Sequence, residues 1–388
     1  MTSEAGGAGD VPRADVLVVG PLANVDLALA EALSRNGLRC LVVRSARAGM
    51  PDPAAPPIPL RHLTSDRILA NRGHLWFLAR CRRVRFIVSA TGSLLGFLGP
   101  LWFLRRWLGI PPHMNITTGA DITEMALEGS LKGFLFRRLL RAAAFNWIPT
   151  TTHALAALRR LRLTNVAFMR FPMPLRGMAD AAGPAGPVTY LHCSHLDWGL
   201  TDNKAGRNST KGNDRFFRAF ARAVADGADI RCIVLDRGPD RIAAREALRR
   251  SGCEQRIEWR PATDQAGLAR MFAEADVVVD QFDAGFFGWT AWEAMSQAKA
   301  VLIHLDPECV DLLYDGAPPV LSCRSEEEIL RQIMDHQDRE ALRALGDAAR
   351  TWVWRNHGSD ADMAEFVFRI CVASGLEPPG RATAVAGR

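Results

Sequence analysis

The stretch ADVVVDQFDAGFFGWTAWEAMSQAKAVL, residues 275–302, decides the fold. It begins with an apolar run typical of a buried strand, passes through a loop with Gly285 and Gly288, and continues as a helical pattern. Glycines let the backbone approach a ligand closely, and the start of a helix favours a phosphate group. Glu293, which we place in the first turn of this helix, is suited to accept hydrogen bonds from the hydroxyls of a neighbouring ribose.

The alternation of strands and helices extends from this unit in both directions. The predicted strands of this half are residues 188–194, 230–236, 256–260, 276–282 and 300–306. The predicted helices are residues 214–225, 240–250, 264–275 and 290–297, followed by a helical pattern throughout residues 325–373. Such alternation is typical of an open parallel sheet covered by helices.

The N-terminal half has a similar opening. An apolar run at 14–20 is followed by a helical pattern and by a second run at 39–44. Further strands are predicted at 84–90, 113–119 and 165–170. Residues 178–187, MADAAGPAGP, have the composition of a linker. We therefore predict an α/β protein of two doubly wound, Rossmann-like domains, residues 1–177 and 188–388, that face each other across a cleft, with the last helices free to return to the first domain.

Composition excludes several classes of protein. The chain of 388 residues is long enough for two domains, and its eight scattered cysteines indicate buried thiols of a reducing compartment. No secretory signal, catalytic Ser/His/Asp set, P-loop, metal cluster or nucleic-acid-binding motif is visible, so we expect a cytoplasmic protein without a metal. Residues 1–180 carry a net charge of +12 and residues 181–388 one of −6, which suggests an anionic partner for the first half. Solvated arginines explain the asymmetry equally well.

The 275–302 segment resembles the donor-site signature, E-x7-E, of retaining GT-B glycosyltransferases of family 4. Glu293 matches the second glutamate, whereas Gly285 stands where the first would be. Asp280 and Gln281 before a loop from Gly285 to Gly288 resemble a variant subgroup of that family, and residues 298–301 also depart from the usual G-x-P-V. The resemblance implies a GT-B fold and donor contacts from Gly285, Phe286, Phe287, Gly288 and Trp289.

A second resemblance lies in residues 192–224. Lys211, Gly212, Asn213 and Asp214 resemble the family's KG-x-D element, which implies that Lys211 neutralises the donor pyrophosphate. Arg207 or Lys204 would supply a second cation, and the longer loop here leaves both open. The resemblance also makes Arg237 and Gly238 candidates for contacts to the nucleotide base, although a turn after a strand requires glycine in any case.

Three segments of the first half raise narrower expectations. The loop GPLAN, residues 20–24, follows the first strand, where the family has a loop near the reaction centre, and it makes Asn24 a candidate on the acceptor side. Asp121, within TTGADITE (residues 117–124), either lines the acceptor side or caps the helix that follows. His74 and His113 are lone histidines, which are more often structural than catalytic.

The resemblance implies transfer of a sugar from a nucleotide diphosphate sugar with retention at the anomeric carbon. The expected catalytic residues are Lys211, Glu293 and Arg207, and no cofactor is required. The acceptor is unknown. If the protein acts in surface polysaccharide or glycolipid synthesis, its acceptor is a lipid-linked glycan. One alternative is a catalytically silent sugar-nucleotide-binding or scaffold protein on the same fold. Another is a sugar-nucleotide epimerase, which has less support because the acid–base carboxylates of such an enzyme are not evident in the sequence.

The most apolar window, residues 94–110, contains Pro100, Arg105 and Arg106 and is too short to span a bilayer. Its aromatic residues and the basic clusters on both sides of it predict a contact with an anionic membrane surface, on the inner face of the cytoplasmic membrane. The alternative is that the window packs in the core and that the arginines are solvated.

Overall fold

The structure is a computed structural model that describes residues 13–20, 25–45, 61–117, 119–170, 186–198, 211–358 and 361–379. Two parallel β-sheets of seven and six strands organise these residues, and helices cover both faces of each sheet. The predicted α/β class with two doubly wound sheets is confirmed. Most of the predicted linker lies outside the described residues. We call the part around the first sheet the N-terminal lobe and the part around the second the C-terminal lobe.

The first sheet has the strand order β3-β2-β1-β4-β5-β6-β7. Its strands are β1 (Val16–Val19), β2 (Cys40–Arg44), β3 (Ile68–Ala70), β4 (Phe86–Ala90), β5 (His113–Ile116), β6 (Phe145–Trp147) and β7 (Val166–Ala167). The helices of this lobe are α1 (Val25–Arg35), α2 (His74–Cys81), α3 (Ser93–Leu98), α4 (Ala120–Thr123), α5 (Leu131–Ala142) and α6 (Thr152–Leu161), with short 3-10 helices at Ser65–Arg67, Gly99–Leu104 and Met125–Leu127.

The second sheet has the order β10-β9-β8-β11-β12-β13. Its strands are β8 (Val188–His192), β9 (Ile230–Leu235), β10 (Ile257–Arg260), β11 (Val277–Val279), β12 (Ala300–Ile303) and β13 (Leu321–Ser322). The helices are α7 (Asp214–Ala225), α8 (Arg241–Arg250), α9 (Gln265–Glu274), α10 (Trp289–Ser296), α11 (Pro307–Val310), α12 (Glu326–Asp335), α13 (Arg339–His357) and α14 (Ala361–Ser374), with a 3-10 helix at Glu254–Arg256.

Side chains of alternate residues along each central strand build the layers of the core. Val16 and Val18 pack toward α1, whereas Leu17 and Val19 pack toward α2 and α5. The strands are buried on both faces, which is why the sequence shows them as continuous apolar runs. All eight cysteines are buried and free.

The C-terminal helices connect the two lobes. The sequence predicted one helical region over residues 325–373, and the structure divides its described residues among α12, α13 and α14. α13 packs on α10 and β12 of the second sheet, whereas Phe366 of α14 lies edge-on to Phe145 in the core of the first. The chain therefore crosses back to the N-terminal lobe between α13 and α14.

The apolar window at 94–110 is divided between core and surface. Leu94, Leu98 and Trp102 are buried against the first sheet, while Phe103 and Trp107 are exposed. Packing in the core is therefore right for part of the window, and a membrane contact through its exposed part stays a prediction. Within the described residues, no helix is long and apolar enough to cross a membrane.

Candidate functional site

The strand order of the second sheet reverses at β8, with β9 on one side and β11 on the other. Ligands of open α/β sheets bind outside the carboxyl ends of the strands at such a reversal. The polar residues that follow these two strands meet there, since the hydroxyl of Ser194 donates to Asp280 Oδ1 across 3.5 Å. The sequence and the topology thus point to the same place.

The carboxylate of Asp280 lies at the start of α10. Its Oδ2 accepts the Gly288 N–H at 2.6 Å, and a Cβ on Gly288 would collide with this carboxylate. Burial raises the pKa of Asp280, and the nearby charge of Lys211 opposes that shift. The carboxylate thus holds one of the amides at the helix start, the place where the sequence suggested a phosphate. Because α10 begins at Trp289, Glu293 lies in its second turn and not in the predicted first turn.

Gln281 connects the ammonium group of Lys211 to the loop of residues 280–288. Its Oε1 accepts a 2.7 Å hydrogen bond from Lys211 Nζ, and its Nε2 donates to the Phe286 carbonyl at 2.9 Å. The backbone carbonyl of Gln281 accepts the His304 N–H from the end of β12. A neutral amide positions the ammonium group without cancelling its charge, so Gln281 is a positioning residue for Lys211.

Lys211 is fixed by its backbone as well as by its side chain. Its carbonyl accepts the Phe282 N–H at 2.8 Å. The side chain is half-buried, and its ammonium lies close enough to Asp280 to influence the pKa of that carboxyl. The structure therefore brings Lys211 to the 280–288 loop, as the sequence predicted, whereas Arg207 and Lys204 lie outside the described residues.

Gly285 lies where the loop touches the N-terminal lobe. Its φ is +67°, and a Cβ would come within 2.8 Å of Thr152 Cγ2 and 2.9 Å of Asp306 Cβ. The Thr152 N–H donates to the Ala284 carbonyl at 3.0 Å, and the Asp306 N–H to the Gly285 carbonyl at 2.8 Å. A glutamate has no room here in this arrangement, which is a physical reason for the departure from E-x7-E.

The side chains of Phe286 and Phe287 are buried in an aromatic cluster beneath the loop. The two rings meet at 5.3 Å, and they pack with Trp292 and Tyr314. Trp289 is half-buried and lies edge-on to Trp292. Because their side chains are buried, Phe286 and Phe287 could contact a ligand only through their backbone atoms. Contacts of Phe286, Phe287 and Trp289 with the donor stay a prediction.

A buried network supports the segment that carries Lys211. The Trp198 indole donates to Asn213 Oδ1 at 2.9 Å, so the amide nitrogen of Asn213 faces His192 Nε2 at 2.8 Å. Because an indole only donates, His192 Nε2 must accept, which requires a neutral imidazole. Burial lowers the pKa of His192 to about 3, in agreement with that requirement.

The loop after β9 is packed against the segment after β8. A Cβ on Gly238 would collide with the backbone of Leu196, and Gly238 has a φ of +120°. Arg237 donates to the Cys193 carbonyl at 2.8 Å. The close approach alone requires glycine at 238, so contacts of Arg237 and Gly238 with a nucleotide base stay a prediction.

The N-terminal lobe presents two of the predicted positions. Gly20, after β1, has a φ of +98° and lies so close to Ser93 that any Cβ would collide with its hydroxyl. Asp121 is buried in α4, and its Oδ1 accepts the Ile122 N–H at 3.0 Å. That bond is local to the helix start, and the acceptor-side role of Asp121 stays a prediction. Asn24 lies outside the described residues.

The two lone histidines make local contacts. His74 Nδ1 lies 2.8 Å from the Phe97 carbonyl, and His113 Nε2 lies 3.4 Å from the Leu139 carbonyl. Burial lowers the pKa of His113 to about 4. These contacts agree with the structural role that the sequence favoured for both.

The sequence did not single out an ion pair beside the site. Arg215, the second residue of α7, pairs with Asp283 of the loop and also donates to the Arg324 carbonyl at 2.8 Å. The pair links the start of α7 to the loop and to the end of β13. In the sequence, only the position of Arg215 directly after the KG-x-D element could have indicated this pair.

Comparisons with solved structures identify the fold. The Anabaena protein HepE, solved with UDP and glucose, has a TM-score of 0.62 at 14% identity over 92% of this chain and 99% of that chain. Sucrose-phosphate synthase from Thermosynechococcus elongatus has a TM-score of 0.62 at 14% identity over 93% and 100%. A glycosyltransferase from Rickettsia africae has a TM-score of 0.61 at 10% identity over 93% and 98%. By sequence, neither a family model nor a curated protein matches the chain. The predicted GT-B fold is confirmed.

Replacement of Gly285 by alanine tests the contact between the loop and the N-terminal lobe. We expect Gly285→Ala to lower the free energy of unfolding by more than Gly316→Ala does, because only the first adds a clash to the strain of a positive φ. Gly316 has a φ of +92° with open space around it, so its variant should lose about 1–2 kcal/mol. Equal losses in denaturant titrations would contradict the crowding at Gly285.

The neutral state of His192 predicts a specific pH dependence. The pKa of His192 falls from 6.5 to about 3 on folding, so the unfolded chain binds the additional proton and stability declines as the pH falls below about 6.5. At pH 5 the loss should be about 2 kcal/mol. His192→Gln keeps an acceptor for Asn213 and should flatten this decline. Parallel stability curves for His192→Gln and the unchanged protein would rule the assignment out.

Proposed function

We propose that this protein transfers a sugar from a nucleotide diphosphate sugar to an acceptor, with retention at the anomeric carbon. The observation that carries the proposal is the ammonium group of Lys211, held by Gln281 beside the 280–288 loop at the strand-order reversal of the second sheet. A GT-B fold supports it, and the HepE structure contains UDP and glucose.

In this proposal Lys211 meets the pyrophosphate of the donor. Negative charge grows on the leaving phosphate as the bond to the sugar breaks, and a preorganised cation stabilises that charge more than the ground state. Arg207 or Lys204 supplies a second cation. The leaving phosphate removes the proton from the acceptor hydroxyl, so a separate protein base is not needed.

The remaining site residues bind and orient the donor. Glu293, half-buried in the second turn of α10, accepts hydrogen bonds from the ribose hydroxyls. The loop from Gly285 to Gly288 meets the sugar and phosphate through its backbone, with Trp289 beside it, and Arg237 and Gly238 lie toward the base. No cofactor takes part.

On the acceptor side, Asn24 and Asp121 orient the attacking hydroxyl. We propose a lipid-linked glycan of surface polysaccharide or glycolipid synthesis as the acceptor, which places the protein at the cytoplasmic face of a membrane. Domain limits at residues 177 and 188 are part of the same proposal, with the donor bound by the second domain.

A thermal-shift screen with uridine-, guanosine- and adenosine-diphosphate sugars tests the proposal. A donor at about a hundred times its dissociation constant adds about 2.7 kcal/mol of stability, which is easily measured. Release of the nucleoside diphosphate then separates a transferase from a silent binding protein. A shift without release with any glycan acceptor would favour the binding protein, and the absence of a shift with all three donor classes would refute both.

The role of Glu293 is tested by its alanine variant. Glu293→Ala should weaken donor binding by about 1.5–3 kcal/mol, the value of a hydrogen bond to a charged group, while the protein stays folded. Isothermal titration calorimetry measures the change. Glu246→Ala, on α8 away from the site, is the control and should bind the donor like the unchanged protein. Unaltered donor affinity in Glu293→Ala would remove this assignment.

Lys211→Met keeps the aliphatic stem and removes the charge. Turnover should fall by about a hundredfold, with a much smaller change in donor affinity, because the charge that Lys211 meets grows in the transition state. Lys299→Met is the matched control, since Lys299 is also half-buried but donates to the Ala273 and Ala275 carbonyls at the opposite edge of the sheet. Steady-state kinetics in which Lys211→Met turns over normally would exclude a role for Lys211 with the leaving group.

A further inference from the structure

One surface of the N-terminal lobe exposes large apolar side chains among basic ones. Six of the eleven large apolar side chains that are exposed in the described residues lie between positions 75 and 134, and Trp107 is the most exposed of them at 91%. We call this surface the Trp107 surface. Its apolar members are Leu75, Phe103, Leu104, Trp107, Leu131 and Phe134.

Three segments form this surface: one contact joins α2 to the segment that leads to Trp107, and ring contacts lie within the other two. His74, next to Leu75 at the start of α2, donates from Nδ1 to the Phe97 carbonyl at 2.8 Å and lies against Gly99, where the 3-10 helix begins. The Phe103 ring packs edge-on to the Trp102 ring at 5.8 Å. The Arg105 guanidinium lies over the Trp102 ring at 4.2 Å, and the Arg138 guanidinium of α5 lies over the Phe134 ring at 5.9 Å.

The charge around the Trp107 surface is almost entirely positive. Residues 72–142, which include the three segments, contain 11 lysines and arginines and only three acidic residues, Asp121, Glu124 and Glu128. Burial and the charges of Arg138 and Arg106 lower the pKa of Arg105, which shows that α5 and the 105–106 turn bring like charges together. A partner for this surface must therefore supply negative charge as well as an apolar layer.

We propose that the Trp107 surface docks on an anionic lipid bilayer. Arginines that surround aromatic and aliphatic side chains match the phosphate layer and the acyl boundary of such a bilayer, where tryptophan is also favoured. A second copy of the chain fits less well, because it would bring the same positive charges face to face.

The position of the surface relates it to the cleft. α2, α3 and α5 each precede the next strand of a parallel sheet, so their first residues lie at its carboxyl edge. Leu75 and Leu131 are at such helix starts, as is Thr152, which contacts the loop at Gly285. The part of the Trp107 surface formed by the starts of α2 and α5 thus lies at the edge of the lobe that meets the donor loop, which is where a lipid-linked acceptor would enter.

Two pairs of adjacent residues, one in each lobe, provide matched variants. Arg106 and Trp107 are both exposed on the proposed surface, and Arg241 and Ile242 are both exposed at the start of α8 in the other lobe. The double variants R106E/W107D and R241E/I242D make the same change of charge and polarity at the two places. None of the four residues belongs to the proposed donor site.

Flotation of the full chain with vesicles tests the proposal. The protein should float with vesicles that contain phosphatidylglycerol at low salt and should float less at high salt, where charges are screened, or with pure phosphatidylcholine. R106E/W107D should reduce the partition coefficient between vesicles and water by at least about tenfold, and R241E/I242D should leave it unchanged. Circular dichroism confirms that both variants are folded.

Three results would overturn the proposal: no flotation of the unchanged protein at low salt, equal loss of binding in both double variants, or a dimer without lipid that R106E/W107D dissociates. The last would assign the surface to a second copy of the chain. Each result is independent of the donor, so failure of the glycosyltransferase proposal in the thermal-shift screen would leave this test intact.

Discussion

The structure of the candidate site depends on the hydrogen bonds of two consecutive side chains at the end of β11. Asp280 holds the Gly288 N–H at the start of α10, and Gln281 holds both the Lys211 ammonium and the Phe286 carbonyl. A strand end, a loop, a helix start and a cation are thereby fixed to one another. Because buried polar groups are costly to leave unpaired, the loss of either side chain would release several of these elements together.

The fold could be predicted from sequence where strands are buried on both faces. β8, β9, β11 and β12 appear as apolar runs, and the positions of α7 and α8 were predicted to within a residue. β3, β6 and β13, of two or three residues each, were missed, because a strand that short leaves no recognisable pattern and is defined by its partner in the sheet. The breaks among the last three helices were missed as well, since apolar periodicity continues across them.

The candidate site could be located from sequence, but its internal contacts could not. The residue types around Lys211 and Glu293 singled out two segments that the structure brings together through Gln281, whereas the crowding of Gly285 by Thr152 depends on a contact between lobes. The position of Asp280 at the helix start and the pairing of Arg215 with Asp283 likewise depend on tertiary packing. The amphipathic window at 94–110 shows the same limit, because only the structure separates the buried Trp102 from the exposed Trp107.

Hydrogen–deuterium exchange tests most directly the central claim that the 280–288 loop and Lys211 form a nucleotide-sugar site. The measurement compares the free protein with the protein in saturating uridine, guanosine or adenosine diphosphate. With at least one of the three, exchange should slow in residues 281–293 and 211–217, while the peptides of α8 and α12 should be unaffected. Binding that protects neither segment, or the absence of any protection with all three nucleotides, would contradict the account.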